Sequence, residues 1–427
     1  MTPIDDHPLR YSLANELHAR PSPSLPVPCN TVYLALKQPV GAANRDRAAE
    51  RAHLVALLDR FGAGHPVPEA THFEARIGRY DLKWESHTEF VTLSAFGTAG
   101  AGKPFDQSEL DVFPADWLAA APGKRIAAIM VRVEPLPEAI DEIEAKMKAW
   151  FVTESLACSW VMDKAAVIAG DFRIDPSGQM RFAVFVRPGT GQRRVGRIVQ
   201  RLCEIETYRA MSMLGLGRAR DLSSRLNALD TQLSDLVVAL RDESCPAEET
   251  LHALLRISSD LEVLAVQHSF RFGATGAYET IVNQRIEVMG EARFEGRQTF
   301  GEFMTRRYDP AMRTVKSAER RLEQMALRAE RAGDLLRTRV DVERSAQNQQ
   351  LLSSMDRRAD LALRLQHTVE GLSVVAVSYY AVNLAAYLLA PVAEGLHLPK
   401  TYLTAALVPV LLAAVWLLIR RIRNGMH

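Results

Sequence analysis

Two uncharged stretches near the carboxyl end decide the fold of this chain. Residues 372–392 read LSVVAVSYYAVNLAAYLLAPV, and residues 402–419 read YLTAALVPVLLAAVWLLI. Each approaches the ~20 apolar residues that cross about 30 Å of hydrocarbon. Only residues 393–401 separate them, so the sequence predicts a transmembrane hairpin over 372–424, with spans at 372–392 and 402–419. The alternative interpretation is a buried helical hairpin in a soluble core.

Basic residues flank this hairpin on both sides. Three arginines precede the first span (Arg357, Arg358, Arg364), and three follow the second (Arg420, Arg421, Arg423). Basic flanks stay in the cytoplasm, so we expect a multi-pass protein of the inner membrane with both termini inside the cell. The lipid bilayer is therefore the first predicted partner.

Composition excludes several classes of function. The 427 residues carry a net charge of +1, so no global field favours nucleic acid. The four cysteines show no C-x-x-C spacing, which argues against a zinc site or a disulfide framework and suits a reducing cytoplasm. Residues 1–21 lack the basic flank and apolar run of a signal peptide. The sequence predicts no cofactor, with a divalent cation as the open alternative.

Strand and helix patterns are mixed only in the first part of the chain. Branched and alternating residues predict strands at 31–37, 125–133, 165–172 and 180–187, two further strands within 72–96, and helices at 43–61 and 138–151. Beyond residue 187 the spacing predicts helices and no strand. The sequence thus predicts an α+β cytoplasmic domain (1–187) followed by an all-α region (188–311).

A long stalk helix is expected at 312–371, running from near Met312 into the first span. Its apolar residues recur every three to four positions, typical of a coiled coil or a helical bundle. Gly333 weakens it by about 1 kcal/mol relative to alanine. A helix of about 75 residues is on the order of 110 Å long and needs a partner for its apolar stripe. We therefore expect a homo-oligomer; any other protein partner is unknown.

Four short blocks resemble a known family. They are NELHARP at 15–21, KWESHTEF at 83–90, EIETYR at 204–209, and EGLSV at 370–374 with Tyr379-Tyr380 following. In these blocks the chain is similar to an uncharacterised bacterial family of membrane-anchored proteins, domain of unknown function 3422. The resemblance implies an anchored protein but no activity and no catalytic residues.

The layout alone is similar to that of CorA-type divalent-cation transporters. Those proteins carry a Gly-Met-Asn signature at the outer end of the first span, where this chain reads LAPV at 389–392. The departure weakens the expectation of magnesium selectivity and of an ion pathway.

The block at 83–90 supplies the strongest candidate site. On a strand, Glu85, His87 and Glu89 would share one face, and two carboxylates around an imidazole could hold a divalent cation or perform acid–base chemistry. The alternative is a solvated face whose charges meet Arg or Lys on a neighbouring strand.

The N-terminal block offers a second polar cluster. Glu16, His18 and Arg20 could join the face at 83–90 or form an ion-pair cluster that holds the N-terminal segment in place. A third motif, GTAGAGKP at 97–104, has the G-x-x-x-x-G-K spacing. Pro104 stands where a hydroxyl must bind the metal, so we interpret it as a flexible loop.

The first span contains polar residues that must face protein or water in a membrane. Ser373, Tyr380 and Asn383 could line a pore or a helix–helix interface. Glu370 at the inner edge could form a cation-attracting ring in an oligomer or could pair with Arg364. The sequence leaves two hypotheses: a membrane-anchored, non-enzymatic module for assembly or partner binding, and a divalent-cation channel or transporter.

Overall fold

The computed structural model describes residues 4–16, 21–98, 103–239, 246–395 and 400–424. The chain divides into two compact units. One comprises Met1–Asp242 with His252–Ala332, and the other comprises Glu243–Leu251 with Gly333–His427. We call them the sheet unit and the C-terminal unit.

All strands of the described chain lie in one sheet of the sheet unit. They are Cys29–Lys37 (β1), His72–Ile77 (β2), Tyr80–Ser86 (β3), Phe90–Thr98 (β4), Lys124–Pro135 (β5), Ala157–Val161 (β6), Ala166–Ile174 (β7), Met180–Val186 (β8) and Ala292–Arg293 (β9). The strand order is β2-β3-β4-β1-β5-β8-β7-β6-β9. β5 and β8 pair in parallel, and the other neighbouring strands of the described chain pair antiparallel, so the sheet is mixed.

The helices are mostly short before residue 190 and long after it. They are Arg10–Glu16 (α1), Arg47–Arg60 (α2), Ala115–Ala119 (α3), Ile140–Trp150 (α4), Gln192–Ala239 (α5), Ala247–Met289 (α6), Phe300–Arg307 (α7), Asp309–Gly395 (α8) and Lys400–Asn424 (α9). Short 3-10 turns occur at Ala42–Asn44, Gln107–Val112 and Thr153–Ser155.

Helices cover both faces of the sheet. On one face, Val195, Ile198 and Leu202 of α5 pack in one cluster with Tyr33 of β1 and Phe182 of β8. Successive strand residues point to opposite faces, and helices cover both faces, so both sets of side chains on a central strand are shielded from water. This explains why every residue of β1 is buried.

The opposite face carries the short helices. Leu54 and Leu58 of α2 and Trp117 of α3 share a cluster with Leu34 of β1. A separate cluster joins Ile143 and Met147 of α4 to Phe185 of β8. The sheet is thus the middle layer of three, and Met289 of α6 and Phe300 of α7 join α5 in the cluster on its face.

Most predicted strands are confirmed, with three corrections. Residues 72–98 form three strands instead of two, because the chain turns between Ser86 and Phe90. β6 at Ala157–Val161 was not predicted. The expectation of no strand after 187 was wrong, since β9 pairs with β6.

The long helices run further than the sequence predicts. α5 continues through Gly215 and Gly217, and α8 begins at Asp309 and contains Pro391 near its end. A Cβ at Gly215 would lie 2.3 Å from Thr275 Oγ1 of α6, so close helix packing explains this glycine. The proposed domain limits at 187, 311 and 371 stay predictions.

Two helices, α8 and α9, are long and apolar enough to cross a membrane, and their apolar stretches belong to the C-terminal unit. Each contains an 18-residue window of mean hydropathy 1.7, within Asp309–Pro391 and at Thr404–Arg421. Only 6% and 0% of these windows is buried. Such exposure does not fit the alternative of a buried hairpin in a soluble core. Part of the predicted connecting loop, 396–399, lies outside the described residues.

Candidate functional site

A pocket of about 230 Å³ lies in the sheet unit between the sheet and α5. Its sheet wall comes from β1, β3 and β4, and its helix wall from residues 199–208 of α5. Arg285 of α6 and Pro23 of the N-terminal segment complete it. We call it the central pocket.

Two of the blocks that carry the family resemblance meet in the central pocket. The block at 83–90 contributes Lys83, Glu85, His87 and Phe90 to the lining, and the block at 204–209 contributes Glu204, Thr207 and Tyr208. A third block approaches it, because Lys83 Nζ donates to the carbonyl oxygen of Pro21 at 3.0 Å. Blocks far apart in sequence therefore build one site.

The predicted face of Glu85, His87 and Glu89 does not exist as one strand. β3 ends at Ser86, so His87 and Glu89 lie in the turn before β4. Glu85 and His87 line the central pocket, and His87 Nε2 lies 3.2 Å from Thr92 Oγ1. The ring of His87 also stacks on Phe90, with centroids 4.4 Å apart.

Glu89 is buried and belongs to a different cluster. Its carboxylate accepts hydrogen bonds from both Nη atoms of Arg271 and from Tyr278 Oη at 2.9 Å. Lys37 Nζ lies 3.9 Å away. The sequence left open that these charges meet Arg or Lys on a neighbouring strand at a solvated face. Glu89 does pair with an arginine, but the pair is buried and Arg271 belongs to the helix α6.

A single buried arginine holds the turn in place. Arg45 donates through Nε to both carboxylate oxygens of Glu50 at 2.7 and 2.9 Å. Its Nη atoms donate to the carbonyl oxygens of His87, Thr88 and Phe90 and to Ser86 Oγ. The guanidinium fork therefore fixes the backbone that presents His87 to the pocket.

Two ion pairs give the central pocket its electrostatic character. Lys83 Nζ lies 3.2 Å from Glu85 Oε1, and both side chains are mostly buried. Arg285 Nε donates to Glu204, which also accepts from Gln200 Nε2 at 2.7 Å. The buried Oε1 of Gln200 has no donor among the described residues. The pocket is polar, close to neutral, and offers both signs of charge.

Hydroxyl and thiol groups occupy the deep end of the pocket. Thr207 Oγ1 donates to Tyr33 Oη at 2.9 Å, and burial raises the pKa of Tyr33 well above its usual value. Burial also raises the pKa of the Cys203 thiol, with Glu204 adding to the effect. Cys203 is therefore a protonated thiol at neutral pH, unsuited to nucleophilic attack.

One wall of the pocket depends on a glycine. A Cβ at Gly196 of α5 would lie 1.7 Å from the carbonyl oxygen of Pro23. The amide of Leu25 donates to the carbonyl oxygen of Gln192 at 3.1 Å. Glycine lets the backbone of the 21–25 segment lie directly on the helix.

The structure describes the other N-terminal and loop candidates only in part. Glu16 ends α1, while His18 and Arg20 lie outside the described residues, as do residues 99–102 of the glycine-rich loop. Among the residues described, no group of three or more His, Cys, Asp or Glu side chains is placed to hold a metal ion.

The polar residues of the first apolar stretch are spread along α8. Glu370 accepts from Gln366 Nε2 at 2.9 Å and lies 3.7 Å from His367 Nδ1. Ser373 and Tyr380 are exposed, Asn383 is half-buried, and Tyr380 contacts Tyr379 edge to face. The predicted pairing of Glu370 with Arg364 is not among the ion pairs of the described residues.

Sequence reasoning missed Arg45, Arg271, Tyr278 and Arg285. Arg271 and Tyr278 contact a carboxylate 182 and 189 positions away, and no local pattern signals such a contact. Arg45 directly follows a short 3-10 turn and lies in no recognisable sequence motif.

A family model described as "Protein of unknown function (DUF3422)" matches residues 5–426, nearly the whole chain. The chain belongs to this family. The resemblance inferred from the four blocks is thereby confirmed, whereas the comparisons do not show a similarity between this DUF3422 protein and CorA-type transporters. No curated protein sequence matches it.

Proposed function

We propose that this DUF3422 protein is a membrane-anchored module that binds a small zwitterionic molecule in the central pocket. The observation that carries the proposal is the pair of ion pairs, Lys83 with Glu85 and Arg285 with Glu204, around a cavity of about 230 Å³. Two of the sequence blocks that carry the family resemblance, 83–90 and 204–209, line this cavity, which supports a specific function for it.

The charges favour a ligand that carries both signs. A singly charged ligand would leave one buried or half-buried ion pair unbalanced, and an unpaired charge in such a site is costly. A zwitterion can present its ammonium group to a carboxylate and its carboxylate to Lys83 or Arg285. The aromatic rings of Phe90, Phe96 and Tyr208 provide an apolar wall for a side chain. An amino acid fits this description and the cavity's size.

Thermal unfolding with a panel of the twenty common amino acids tests this proposal. A ligand present at 100 times its Kd stabilises the folded protein by about 2.7 kcal/mol, which raises Tm measurably. We expect at least one amino acid to raise Tm for the wild type and for the control Glu279→Gln. Glu279 pairs with Lys316 and does not line the pocket. Glu204→Gln should abolish the shift, and no shift with any amino acid would contradict the proposal.

The anchor is proposed to consist of the apolar end of α8 together with α9. Large apolar side chains on both helices, such as Leu388 and Trp416, are exposed, which supports burial in lipid. The flanking arginines support a cytoplasmic position for both ends of the pair. Alkaline carbonate extraction of membranes is the test. Protein that remains in the pellet supports the anchor, and protein released to the supernatant contradicts it.

Self-association through the stalk is part of the same proposal. Leu351, Met355, Leu365 and Val369 are exposed and follow coiled-coil spacing. Leu365→Glu should lower the mass of the detergent-solubilised particle measured by light scattering. Leu363→Glu is the matched control, because Leu363 is also an exposed leucine but lies off this stripe. Equal masses for both variants would contradict assembly through the stripe.

Cation transport is the second candidate. Half-buried Asn383 in an otherwise apolar stretch is the observation that favours it, since an amide in lipid needs a polar partner or water. Flux of Mg²⁺ into liposomes that is lost in Asn383→Leu would support a pore. Equal flux in protein-free liposomes would contradict it.

A further inference from the structure

A second pocket of about 260 Å³ lies elsewhere in the sheet unit, where β7 meets α5 and α7. Arg173 of β7, Arg209 of α5 and Arg307 of α7 line it. We call it the arginine pocket. Three separate elements of the fold each contribute one guanidinium group.

An irregular strand aims Arg173 at this pocket. The register between β7 and β8 shifts between Gly170 and Ile174, which is a β-bulge. Within it Phe172 has a φ of +54°, a left-handed conformation that bulky residues rarely adopt. Phe172 stacks on Phe303 with centroids 4.4 Å apart, so packing sustains the strain. Bulges and strained residues of this kind occur at functional sites, where they redirect a side chain.

The three arginines have N–H groups that donate to no described residue. Arg173 donates through Nε to Ser155 Oγ at 2.8 Å, which leaves its two Nη groups. Arg209 uses Nε and Nη2 on Glu206 and leaves Nη1. No described residue accepts a hydrogen bond from Arg307, which is exposed.

The nearby carboxylates are already satisfied. Asp171 is buried, and its two oxygens accept from the backbone amides of Val152 at 2.9 Å and Arg173 at 3.2 Å. Glu206 is engaged by the fork of Arg209, and this pairing raises the pKa of Arg209. Arg173 and Arg307 therefore remain as cations without a paired carboxylate.

We propose that the arginine pocket binds the phosphoryl group of a soluble phosphorylated metabolite. Planar guanidinium groups match the oxygens of a phosphoryl group with paired N–H donors, and three of them can reach one anion from different sides. The stacked rings of Phe172 and Phe303 provide an apolar surface for the organic part of the ligand. The site is separate from the central pocket, and its ligand has a different charge.

Isothermal titration of the detergent-purified full chain with pyrophosphate, and separately with inorganic phosphate, tests the proposal. One charge-assisted hydrogen bond contributes roughly ten- to a hundredfold in affinity. Arg307→Gln and Arg173→Gln should therefore each raise Kd about tenfold or more. Arg306→Gln is the matched control, because Arg306 is the next residue on α7 but donates to Gln298 Oε1 at 2.6 Å outside the pocket.

The outcomes separate a site from a general attraction between charges. Binding that weakens in the two pocket variants and is unchanged in Arg306→Gln supports the proposal, provided that all three variants keep the wild-type Tm. Equal weakening in all three variants indicates nonspecific attraction and overturns it. Absence of binding to either anion overturns it as well.

Discussion

Most large apolar side chains of the sheet unit are buried, whereas most of those on the apolar stretches of the C-terminal unit are exposed. Leu57 and Phe182 are fully buried, whereas Leu372 is 69% exposed and Tyr387 is 80% exposed. Burial within one chain stabilises the sheet unit at about 25 cal/mol for each Å² removed from water. The apolar stretches of the C-terminal unit gain no comparable free energy from burial within one chain. Under the proposed function, a bilayer or a second copy would cover this exposed apolar surface of the C-terminal unit.

A buried ion pair of the sheet unit and an exposed ion pair of the C-terminal unit provide a second comparison. Arg45 and Glu50 form an ion pair at 2.7 Å with side chains 0% and 5% exposed. Arg344 and Glu248 of the C-terminal unit pair at 2.9 Å with side chains 64% and 63% exposed. Buried pairs cannot lose one partner cheaply, whereas exposed pairs are screened by water.

The largest effect is expected from Arg45→Met. It leaves Glu50 and several carbonyl oxygens of the turn buried without a donor, and removal of one partner of a buried pair costs about 3–5 kcal/mol. Urea unfolding monitored by tryptophan fluorescence measures the loss. Arg344→Met is the control and should leave the unfolding midpoint nearly unchanged. Similar midpoints for both variants would contradict a larger contribution of the buried pair to stability.

A charge in α9 should cost somewhat less. Leu412→Arg places a cation in the middle of the second apolar stretch, at about 2.5–3.5 kcal/mol on insertion scales. We expect a larger carbonate-extractable fraction than in the wild type, while Leu412→Ala stays in the membrane pellet. Identical pellets for the arginine variant and the wild type would show that α9 does not depend on lipid.

Glycines on α5 sharpen the comparison within one helix. Gly196→Ala forces a methyl group against Pro23, and overpacking of this kind costs about 1–3 kcal/mol. Gly217→Ala has open space around it and should instead stabilise the helix by up to about 1 kcal/mol. We expect the urea midpoint to fall below the wild-type value in Gly196→Ala and to rise above it in Gly217→Ala. Two destabilised variants would mean that backbone conformation, and not the contact with Pro23, sets the effect.

The smallest effect is expected from His53, on the loss of stability at low pH. His53 stacks on Trp117 with centroids 3.9 Å apart, and burial lowers the pKa of His53 below its usual 6.5, although a hydrogen bond to the Trp117 carbonyl opposes the shift. A lowered folded-state pKa gives stability that is present above pH 6.5 and is lost as pH falls through the folded value. His53→Gln should flatten the decline of the urea midpoint between pH 7.5 and 5.5. A slope equal to that of the wild type would exclude His53 as its cause.

Local patterns were sufficient to predict much of the sheet. β1, predicted at 31–37, occupies Cys29–Lys37, and β8, predicted at 180–187, occupies Met180–Val186. Both are rich in branched or aromatic residues and end at turns, so local chemistry and tertiary structure agree. The two apolar stretches also coincide with helical segments, in α8 and α9.

The errors arose where tertiary contacts override local signals. The turn 87–89 lacks Gly, Pro, Asn and Asp, so alternation continued through it in the sequence, whereas Arg45 supplies the hydrogen bonds that stabilise it. β9 has two residues, too few for any periodicity. Of the candidate residues, Glu85 and His87 line the central pocket, and their role stays a prediction. The helix wall of the pocket and Arg285 could not be derived from spacing.

The residues that line the central pocket all precede the apolar stretches in the chain, and the last of them is Arg285. A ribosome therefore finishes every wall of this cavity before it translates the first apolar stretch. Under the proposed function, a variant that fails to insert into the membrane should therefore still form the ligand pocket in the cell.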